Sequence, residues 1–166
     1  TSAKEQAELL MITDLLRNDL GRVCEFGSVQ VPDLLRLEKF AQVQHLVSTV
    51  EGRLRADVTH LGALASCFPS GSITGAPKFR AMEIIDELEP EKRGIFGGAV
   101  GYLSWQGNMD TAIAIRTAVI KNNQLYIQAG AGVVADSVAD LEWKETMNKA
   151  RSIFRAAAMA ESGLGP

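Results

Sequence analysis

The sequence predicts an α+β fold in which helices pack on mainly antiparallel sheet. Segments of helical composition stand near both ends of the chain, and segments rich in β-branched residues fall in two blocks between them. Strands and helices therefore do not alternate one by one, as they would in a parallel α/β fold. The 166 residues have about the length of one domain, and 46% apolar with 22% charged residues is typical of globular proteins.

The first half of the chain is predicted to form three helices and two strands. The residues up to Leu20 favour a helix, and Gly21 follows as a stop signal. A small-residue loop, PSGSITGAP, separates the two short helices, and Pro77 suits the first turn of the second. The predicted bounds are 2–20 for the first helix, 29–37 and 43–54 for the strands, and 61–68 and 78–88 for the short helices.

The second half is predicted to form three strands and a final helix. Asn122 and Asn123 lie between the last two strands and are typical of a tight hairpin turn, so these strands should pair antiparallel. An alanine-rich helix follows, and the chain ends in SGLGP. The predicted bounds are 97–105, 111–121 and 124–134 for the strands and 139–159 for the helix.

Charge and hydropathy argue against several classes of function. The formal net charge of −3 is spread without a basic block, so no nucleic-acid partner is expected. No apolar run approaches the roughly 20 residues of a membrane-spanning helix, so no membrane is expected either. The first residues show no signal peptide, which predicts a cytoplasmic protein. Cys24 and Cys67 stand in unrelated contexts and are predicted to be free thiols rather than zinc ligands.

Two pairs of glutamates stand at helical spacing, Glu5 and Glu8 in the first helix and Glu142 and Glu145 in the last. A spacing of three residues puts each pair on one helix face. If packing brings the two faces together, the like charges call for a cation, and Mg²⁺ is the natural ion for oxygen ligands. Glutamate pairs are more often solvated helix faces, so spacing alone leaves both interpretations open.

Two predicted strands carry small residues on one face. Alternation places Arg116 among alanines, and in the next strand Gly130 and Gly132 share a face with Gln128. Glycines weaken a strand unless something must approach the backbone closely. A guanidinium above such a floor could hold a carboxylate with two hydrogen bonds, assisted by a backbone N–H. An ion pair between Arg116 and an acidic core residue is the alternative.

One histidine and one loop are further candidates. Alternation puts His45 on a strand face with Val43 and Val47, where a single histidine is more often a core residue than a catalyst. The loop before Lys78 is rich in hydroxyls and glycines and leads into a helix, a setting where anions bind. It lacks the spacing of a nucleotide phosphate loop, because Lys78 follows Pro77 rather than glycine.

Long strings of this sequence, in order, closely resemble component I of the chorismate-using synthases, the family of aminodeoxychorismate and anthranilate synthases. The resemblance implies the family fold, a layered α/β/β/α sandwich whose mainly antiparallel sheets pack orthogonally with helices outside. Residues 1–160 resemble the C-terminal part of that chorismate-binding catalytic domain, and 161–166 are expected to be a flexible tail. The strings are DLLRNDLGRV (14–23), GSITGAPKFRAMEIIDELEP (71–90), GGAVGYLSWQGNMDTAIAIRT (97–117), QAGAGVVADS (128–137) and ETMNKAR (145–151).

The resemblance also implies roles for individual residues. Glu8 and Glu145 would bind Mg²⁺ directly, with Glu5 and Glu142 in the outer shell, and the ion would bind the ring carboxylate of chorismate. His45 would be catalytic and assist departure of the leaving group. Arg116 with the backbone at Gly132 would hold the enolpyruvyl carboxylate, and Lys149 would add positive charge. The full substrate-binding set implied in this way is Ser72, Phe96, Arg116, Gly130, Gly132 and Lys149.

The strings point to two branches of the family. FPSGSITGAPK, with Ser72 and Thr74, looks like aminodeoxychorismate synthase, which aminates chorismate at C4 for folate. GNMDTAIAIRTAVIK and ETMNKAR look like anthranilate synthase, which aminates at C2 with loss of pyruvate for tryptophan. We favour the C4 branch on Ser72, with anthranilate synthase as the alternative and an isochorismate or salicylate synthase as a further one. In either amination branch, a glutamine amidotransferase subunit or domain would supply ammonia.

The chain also departs from the family pattern. Phe96 stands where family members usually carry tyrosine or another large aromatic residue, so a hydroxyl is absent. The family segment that runs from Pro-Ile to Gly-Thr, and the general acid glutamate, precede the part that this chain matches. The 166 residues alone are therefore expected to be inactive, and a fragment that keeps the fold without turnover is a third alternative.

Overall fold

The computed structural model describes residues 3–40 and 44–163 and has an α+β architecture, as predicted. Helices stand at both ends of the described chain, with strand pairs and three shorter helices between them. In chain order the elements are α1 (Ala3–Gly21), β1 (Gln30–Lys39), β2 (Gln44–Glu51), α2 (His60–Cys67), α3 (Gly71–Thr74), α4 (Lys78–Leu88), β3 (Ala99–Leu103), β4 (Met109–Ile113), β5 (Ala118–Lys121), β6 (Gln124–Ile127) and α5 (Ala139–Glu161).

The chain divides into two compact units. Unit 1 comprises Thr1–Pro90 with Leu103–Met109, and unit 2 comprises Glu91–Tyr102 with Asp110–Pro166. The described strands form two-stranded sheets, β1 with β2, β3 with β4 and β5 with β6. The first and third pairs are antiparallel, and for the third pair the sequence predicted this.

Unit 1 is built around α1, which packs against β1, β2, α2 and α3. The β1–β2 pair is irregular, with register shifts on both sides of Asp33. Leu35 has a φ of 55°, and its N–H donates to the Ser48 hydroxyl at 3.1 Å. Irregularities of this kind twist a strand pair and redirect its side chains. The β1–β2 pair is therefore not a regular ladder along its whole length.

In unit 2 the β5–β6 hairpin confirms the predicted turn. Asn122 and Asn123 have φ values of 52° and 58°, and Lys121 pairs with Gln124 across the turn. Positive φ at both central positions matches the right-handed twist of the flanking strands. Asparagine tolerates this conformation better than most side chains do.

The strand predicted over 111–121 is wrong, because the backbone leaves the extended conformation between Ile113 and Ala118. Arg116 has a φ of 53°. The Ile115 N–H donates to the Ile113 carbonyl at 2.9 Å, a local bond that replaces the ladder. Arg116 therefore lies in a turn-like segment between two strands, and its alternation with neighbouring alanines does not define a strand face.

The strand predicted over 124–134 is also too long, since β6 ends at Ile127. Gly130 and Gly132 lie after it, in a segment without strand pairing. Side chains take up its backbone groups: the Lys149 ammonium donates to the Gly130 carbonyl at 3.1 Å, and the Val134 N–H donates to the Ser137 hydroxyl at 3.0 Å. The proposed glycine face of a strand is thus not present.

Two smaller differences concern helices. The loop before Lys78 contains a short helix, α3, that the sequence pattern did not predict. The last helix continues to Glu161, into the predicted tail, while residues 164–166 of that tail lie outside the described residues.

Few described side chains are buried. The buried apolar ones are Val23, Cys24, Ala114 and Ala150, while Phe26, Trp105 and Trp143 are 108%, 103% and 64% exposed. Among the described residues, no helix combines the length and the apolar character that crossing a membrane requires.

Candidate functional site

A cleft in unit 1 gathers three of the predicted site residues. It has a volume of about 470 Å³ and lies between the first turns of α1 and the β1–β2 pair. Glu5, Glu8 and His45 all contribute to its wall. The described residues that line it are Glu5, Glu8, Leu9, Ile12, Leu37, Gln44, His45 and Leu46.

Local structure explains how these side chains meet. Residues at i and i+3 or i+4 share one face of a helix, so Glu5, Glu8 and Leu9 point the same way. His45 is near the start of β2, opposite Glu38 of β1, and its ring centroid lies 5.9 Å from that of Phe40. His45 is exposed, so the alternative of a core histidine is wrong. Val43, its expected neighbour, lies outside the described residues.

The cleft has two kinds of wall. Carboxylates, an imidazole and an amide form its polar part, and leucine and isoleucine side chains form its apolar part. Such a lining offers apolar contacts beside polar groups that can fix the orientation of a ligand.

In unit 2, four predicted site residues form one hydrogen-bonded chain. The Arg116 guanidinium donates from Nη1 to the Lys149 carbonyl at 3.0 Å. The Lys149 ammonium donates to the Gly130 carbonyl at 3.1 Å and lies 2.6 Å from Glu145 Oε1. Lys149 thus connects the segment after β6, the turn at Arg116 and the carboxylate of Glu145. Arg116 and Lys149 each bring a cationic group to this part of unit 2, and cationic groups suit an anionic ligand.

The remaining predicted residues are more dispersed. Phe96 is half-buried, and the Arg93 guanidinium carbon lies 5.6 Å from its ring centroid. Ser72 lies in α3, exposed, with its hydroxyl oxygen 3.0 Å from that of Ser70. It is not among the described residues that line the cleft. Gly132 is exposed. The backbone carbonyl of Glu142 accepts a hydrogen bond from the Thr146 hydroxyl at 3.0 Å.

The candidate metal ligands fall into two carboxylate pairs. Glu5 and Glu8 belong to unit 1, and Glu142 and Glu145 to unit 2. Within either unit, the described residues gather no group of three or more metal-binding side chains. The donors themselves are carboxylate oxygens, which suit a hard ion such as Mg²⁺. Their chemistry fits the predicted ion.

One prominent feature was missed from sequence. The Lys78 ammonium lies 2.6 Å from Asp19 Oδ2, and these side chains are only 11% and 6% exposed. Burial raises the pKa of the nearby Cys67 thiol, and the negative charge of Asp19 raises that pKa further. The signal was present in the sequence: a lysine in the first turn of a helix opposes the helix dipole, which favours a search for an acidic partner.

The chain is similar over nearly its whole length to known proteins. The chain is 59% identical to anthranilate synthase component 1 of Pseudomonas aeruginosa over 99% of its own length and 33% of that protein. A crystal structure of anthranilate synthase component I from Streptococcus pneumoniae is 53% identical, with a TM-score of 0.86 over 92% of this chain and 35% of the other. A Bacillus anthracis structure, described as a 2,3-dihydroxybenzoate-specific isochorismate synthase, is 28% identical with a TM-score of 0.83, covering 95% and 42%.

The chain thus spans about a third of the length of the curated relatives it matches. The sequence profile described as "chorismate binding enzyme" matches residues 1–155 of the 166. This match covers both units, including α1 with the cleft and most of α5 with Lys149. The chain therefore belongs to the family of chorismate binding enzymes.

Proposed function

We propose that this chain forms part of an anthranilate synthase component I, which aminates chorismate at C2 and releases pyruvate. The identity with proteins named anthranilate synthase component 1, 59% for the Pseudomonas aeruginosa relative, carries this proposal. The preference for C4 amination rested on Ser72 and one loop. Identity over nearly the whole chain outweighs one hydroxyl, so the alternative branch is now the better supported one.

The isochorismate synthase alternative has weaker support. The relative of that description is 28% identical, whereas the anthranilate synthase structure is 53% identical at a similar TM-score. The fold is thus common to both chemistries, and side-chain identity separates them. Function depends on the side chains of the site rather than on the fold. The more identical relative, the anthranilate synthase component I, is therefore the better guide to function.

The cleft residues suggest a division of labour on chorismate. Leu9, Ile12 and Leu37 would cover the ring, because apolar side chains can pack on it and exclude water. His45, exposed at the same cleft, would transfer a proton to the leaving hydroxyl at C4. Attack of ammonia at C2 would form the C–N bond as the ring double bonds shift and the C4–O bond breaks, with loss of water and of a proton from the nitrogen. In the later elimination the C2–H and C3–O bonds would break, the proton passing to a base and the enolpyruvyl group leaving as pyruvate.

The hydrogen-bonded group in unit 2 would bind the enolpyruvyl carboxylate. Arg116 has one nitrogen on the Lys149 carbonyl, which fixes the guanidinium while its other nitrogens can donate to a ligand. Lys149 adds a second positive charge. We assign the substrate contacts to Arg116, Lys149 and the backbone at Gly130 and Gly132, with Ser72 and Phe96 as further contacts.

Mg²⁺ is part of the proposal. When bound, the ion would withdraw charge toward the ring carboxylate of chorismate and favour addition at the ring. Glu8 and Glu145 are the proposed ligands, with Glu5 and Glu142 in the outer shell. Lys149 neutralises Glu145 in this structure, at 2.6 Å, so metal binding would have to displace that ammonium from the carboxylate. A glutamine amidotransferase subunit or domain is the proposed source of ammonia.

A grafted protein tests the activity. These 166 residues would replace the matching third of the Pseudomonas aeruginosa relative, which aligns over 99% of this chain. With chorismate, Mg²⁺ and ammonium, we expect mass spectrometry to detect anthranilate and pyruvate. A second graft with Arg116→Lys should bind chorismate more weakly, since a point charge cannot replace the planar guanidinium. A third graft with the exposed Arg151→Lys serves as the matched control.

The products discriminate among the candidates. Aminodeoxychorismate in place of anthranilate would restore the C4 branch, and nitrogen-free products would remove both amination branches. A graft that folds, as judged by circular dichroism, but leaves chorismate unchanged would contradict the proposed function of these residues.

A further inference from the structure

The Lys78 ammonium lies between the two ends of the chain segment that contains Ser72. We call residues 68–77, between α2 and α4, the Ser72 segment. Lys78 follows its last residue and donates to the carbonyl of Cys67, which precedes its first, at 3.4 Å. The same ammonium donates to Asp19 Oδ2 of α1 at 2.6 Å. Lys78 therefore joins both ends of the segment to each other and to α1.

The ion pair between Lys78 and Asp19 is largely buried, so its role in the structure needs an explanation. The side chains of Lys78 and Asp19 are 11% and 6% exposed. Removing two charges from water costs about as much as their attraction returns, so a buried ion pair is a poor device for stability alone. It does define geometry, because any displacement leaves a charge without its partner. The Asp19 backbone is itself held, since the Ser66 hydroxyl donates to its carbonyl at 3.0 Å.

The interior of the segment transmits that geometry to Ser72. The Gly75 N–H donates to the Gly71 carbonyl at 2.9 Å, and the Thr74 hydroxyl donates to the Ser70 carbonyl at 3.1 Å. Gly71 is buried against Leu15 of α1, and an added Cβ would require the Leu15 side chain to shift. Ser72 itself is exposed, and its hydroxyl oxygen lies 3.0 Å from Ser70 Oγ.

We propose that Asp19 and Lys78 are a positioning pair, which holds the Ser72 hydroxyl in the orientation that binds chorismate. The inference rests on the proposed function, because it assigns the pair to the same substrate. Neither residue touches the ligand. Their effect passes through the Ser72 segment, so specificity for the substrate depends on an ion pair inside the protein.

Substitutions made in the grafted protein described above, which is the parent here, test this idea because they separate stability from position. Lys78→Met leaves Asp19 without a partner and is expected to lower the melting temperature. The double variant Asp19→Leu with Lys78→Met removes both charges and should recover most of that loss, since apolar replacement of a whole pair is often neutral. Arg80→Met is the matched control, because Arg80 lies on the same helix in an exposed ion pair with Glu83, at 60% exposure.

Two measurements on these variants report whether the Ser72 segment keeps its position. The hydrogen-bonded N–H groups of Ile73 and Gly75 should exchange with deuterium about tenfold faster in the double variant than in the parent. The dissociation constant for chorismate, measured by calorimetry with Mg²⁺, should rise by about tenfold. Ser72→Ala should weaken binding in the parent and have no further effect in the double variant.

The outcomes are distinguishable. Faster exchange and weaker binding in a double variant with recovered melting temperature support the positioning pair. Exchange and affinity that recover together with melting temperature show a purely structural pair and overturn the inference. If the parent binds no chorismate, the proposed function fails, and unchanged exchange at Ile73 and Gly75 would separately refute the pair.

Discussion

Glu145 is paired with a lysine in this structure and is also a proposed ligand of Mg²⁺. In this structure its carboxylate is paired with the Lys149 ammonium at 2.6 Å, on one face of α5. An exposed pair of this kind contributes little stability, typically below about 1 kcal/mol. The carboxylate is therefore available to a divalent ion at small cost, and its release would free Lys149 for a substrate carboxylate.

Glu145→Gln removes the negative charge with almost no change in volume, so we expect an intact fold and the loss of Mg²⁺-dependent chorismate binding. Calorimetry with and without Mg²⁺ measures the effect. Glu161→Gln, an exposed substitution at the end of the same helix, should leave binding unchanged. Equal affinity in parent and Glu145→Gln would remove this residue from the metal site.

A second prediction at this scale concerns Cys67. Burial, reinforced by the charge of Asp19, raises the pKa of its thiol, so the folded protein holds the proton more tightly than the unfolded chain. Stability from this group is complete below the ordinary thiol pKa and is lost as pH rises through and above it. In a Cys24→Ala background, the rate of alkylation by iodoacetamide should rise at higher pH than for a free thiol in solution. A coincident profile would contradict the burial.

At the scale of elements, α1 is the scaffold of unit 1. It contributes the carboxylates of the cleft at one end and Asp19 at the other, and between them Leu15 contacts α3. Its contacts depend on small residues opposite, most clearly at Gly71. A Cβ atom there would lie 2.6 Å from Leu15 Cδ1.

Gly71→Ala is therefore expected to destabilise the protein by about 1–3 kcal/mol, the usual cost of overpacking. Urea denaturation gives the difference. Gly21→Ala, at the end of α1 with no atom within 4 Å of the added Cβ, is the control and should stabilise by about 0.4–1 kcal/mol. Similar effects of the two substitutions would show that the contact between α1 and α3 is loose.

In the β5–β6 hairpin, substitutions of Asn123 test backbone conformation rather than packing. Asn123 has a φ of 58°, where a β-branched side chain is strained. Asn123→Val should cost about 1–2 kcal/mol and Asn123→Gly should be tolerated. Lys121→Val, in the exposed strand next to the turn, is the control and should be nearly neutral. Unfolding free energies that do not separate the two valine variants would reject the turn geometry.

These elements show what the sequence could predict. The Asn122–Asn123 turn depends on local chemistry, so pattern alone located it. The break at Arg116 does not, because a bond to the Lys149 carbonyl, 33 residues away, accompanies its left-handed backbone. Likewise Glu5 and Glu8 followed from helical spacing and resemblance, whereas the apolar wall at Leu37 required the packing of β1 on α1.

For the whole molecule, ligand binding should appear as stability. A ligand that binds only the folded state stabilises by about 2.7 kcal/mol at 100 times its dissociation constant. We expect Mg²⁺ to raise the melting temperature, and chorismate to raise it further only when Mg²⁺ is present. Benzoate, an aromatic monocarboxylate, is the control ligand. A folded chain whose melting temperature is unchanged by Mg²⁺ and chorismate together would be a module that keeps the fold without the site.

The exposed indoles have a practical consequence. Both tryptophans of the chain, Trp105 and Trp143, are largely in solvent, at 103% and 64% exposure. Their fluorescence should therefore change little when the isolated chain unfolds. A polypeptide that covers either ring would move its emission to shorter wavelength, because the ring passes into a less polar medium. The two indoles are natural optical probes for assembly, and single Trp→Phe variants would report on each surface separately.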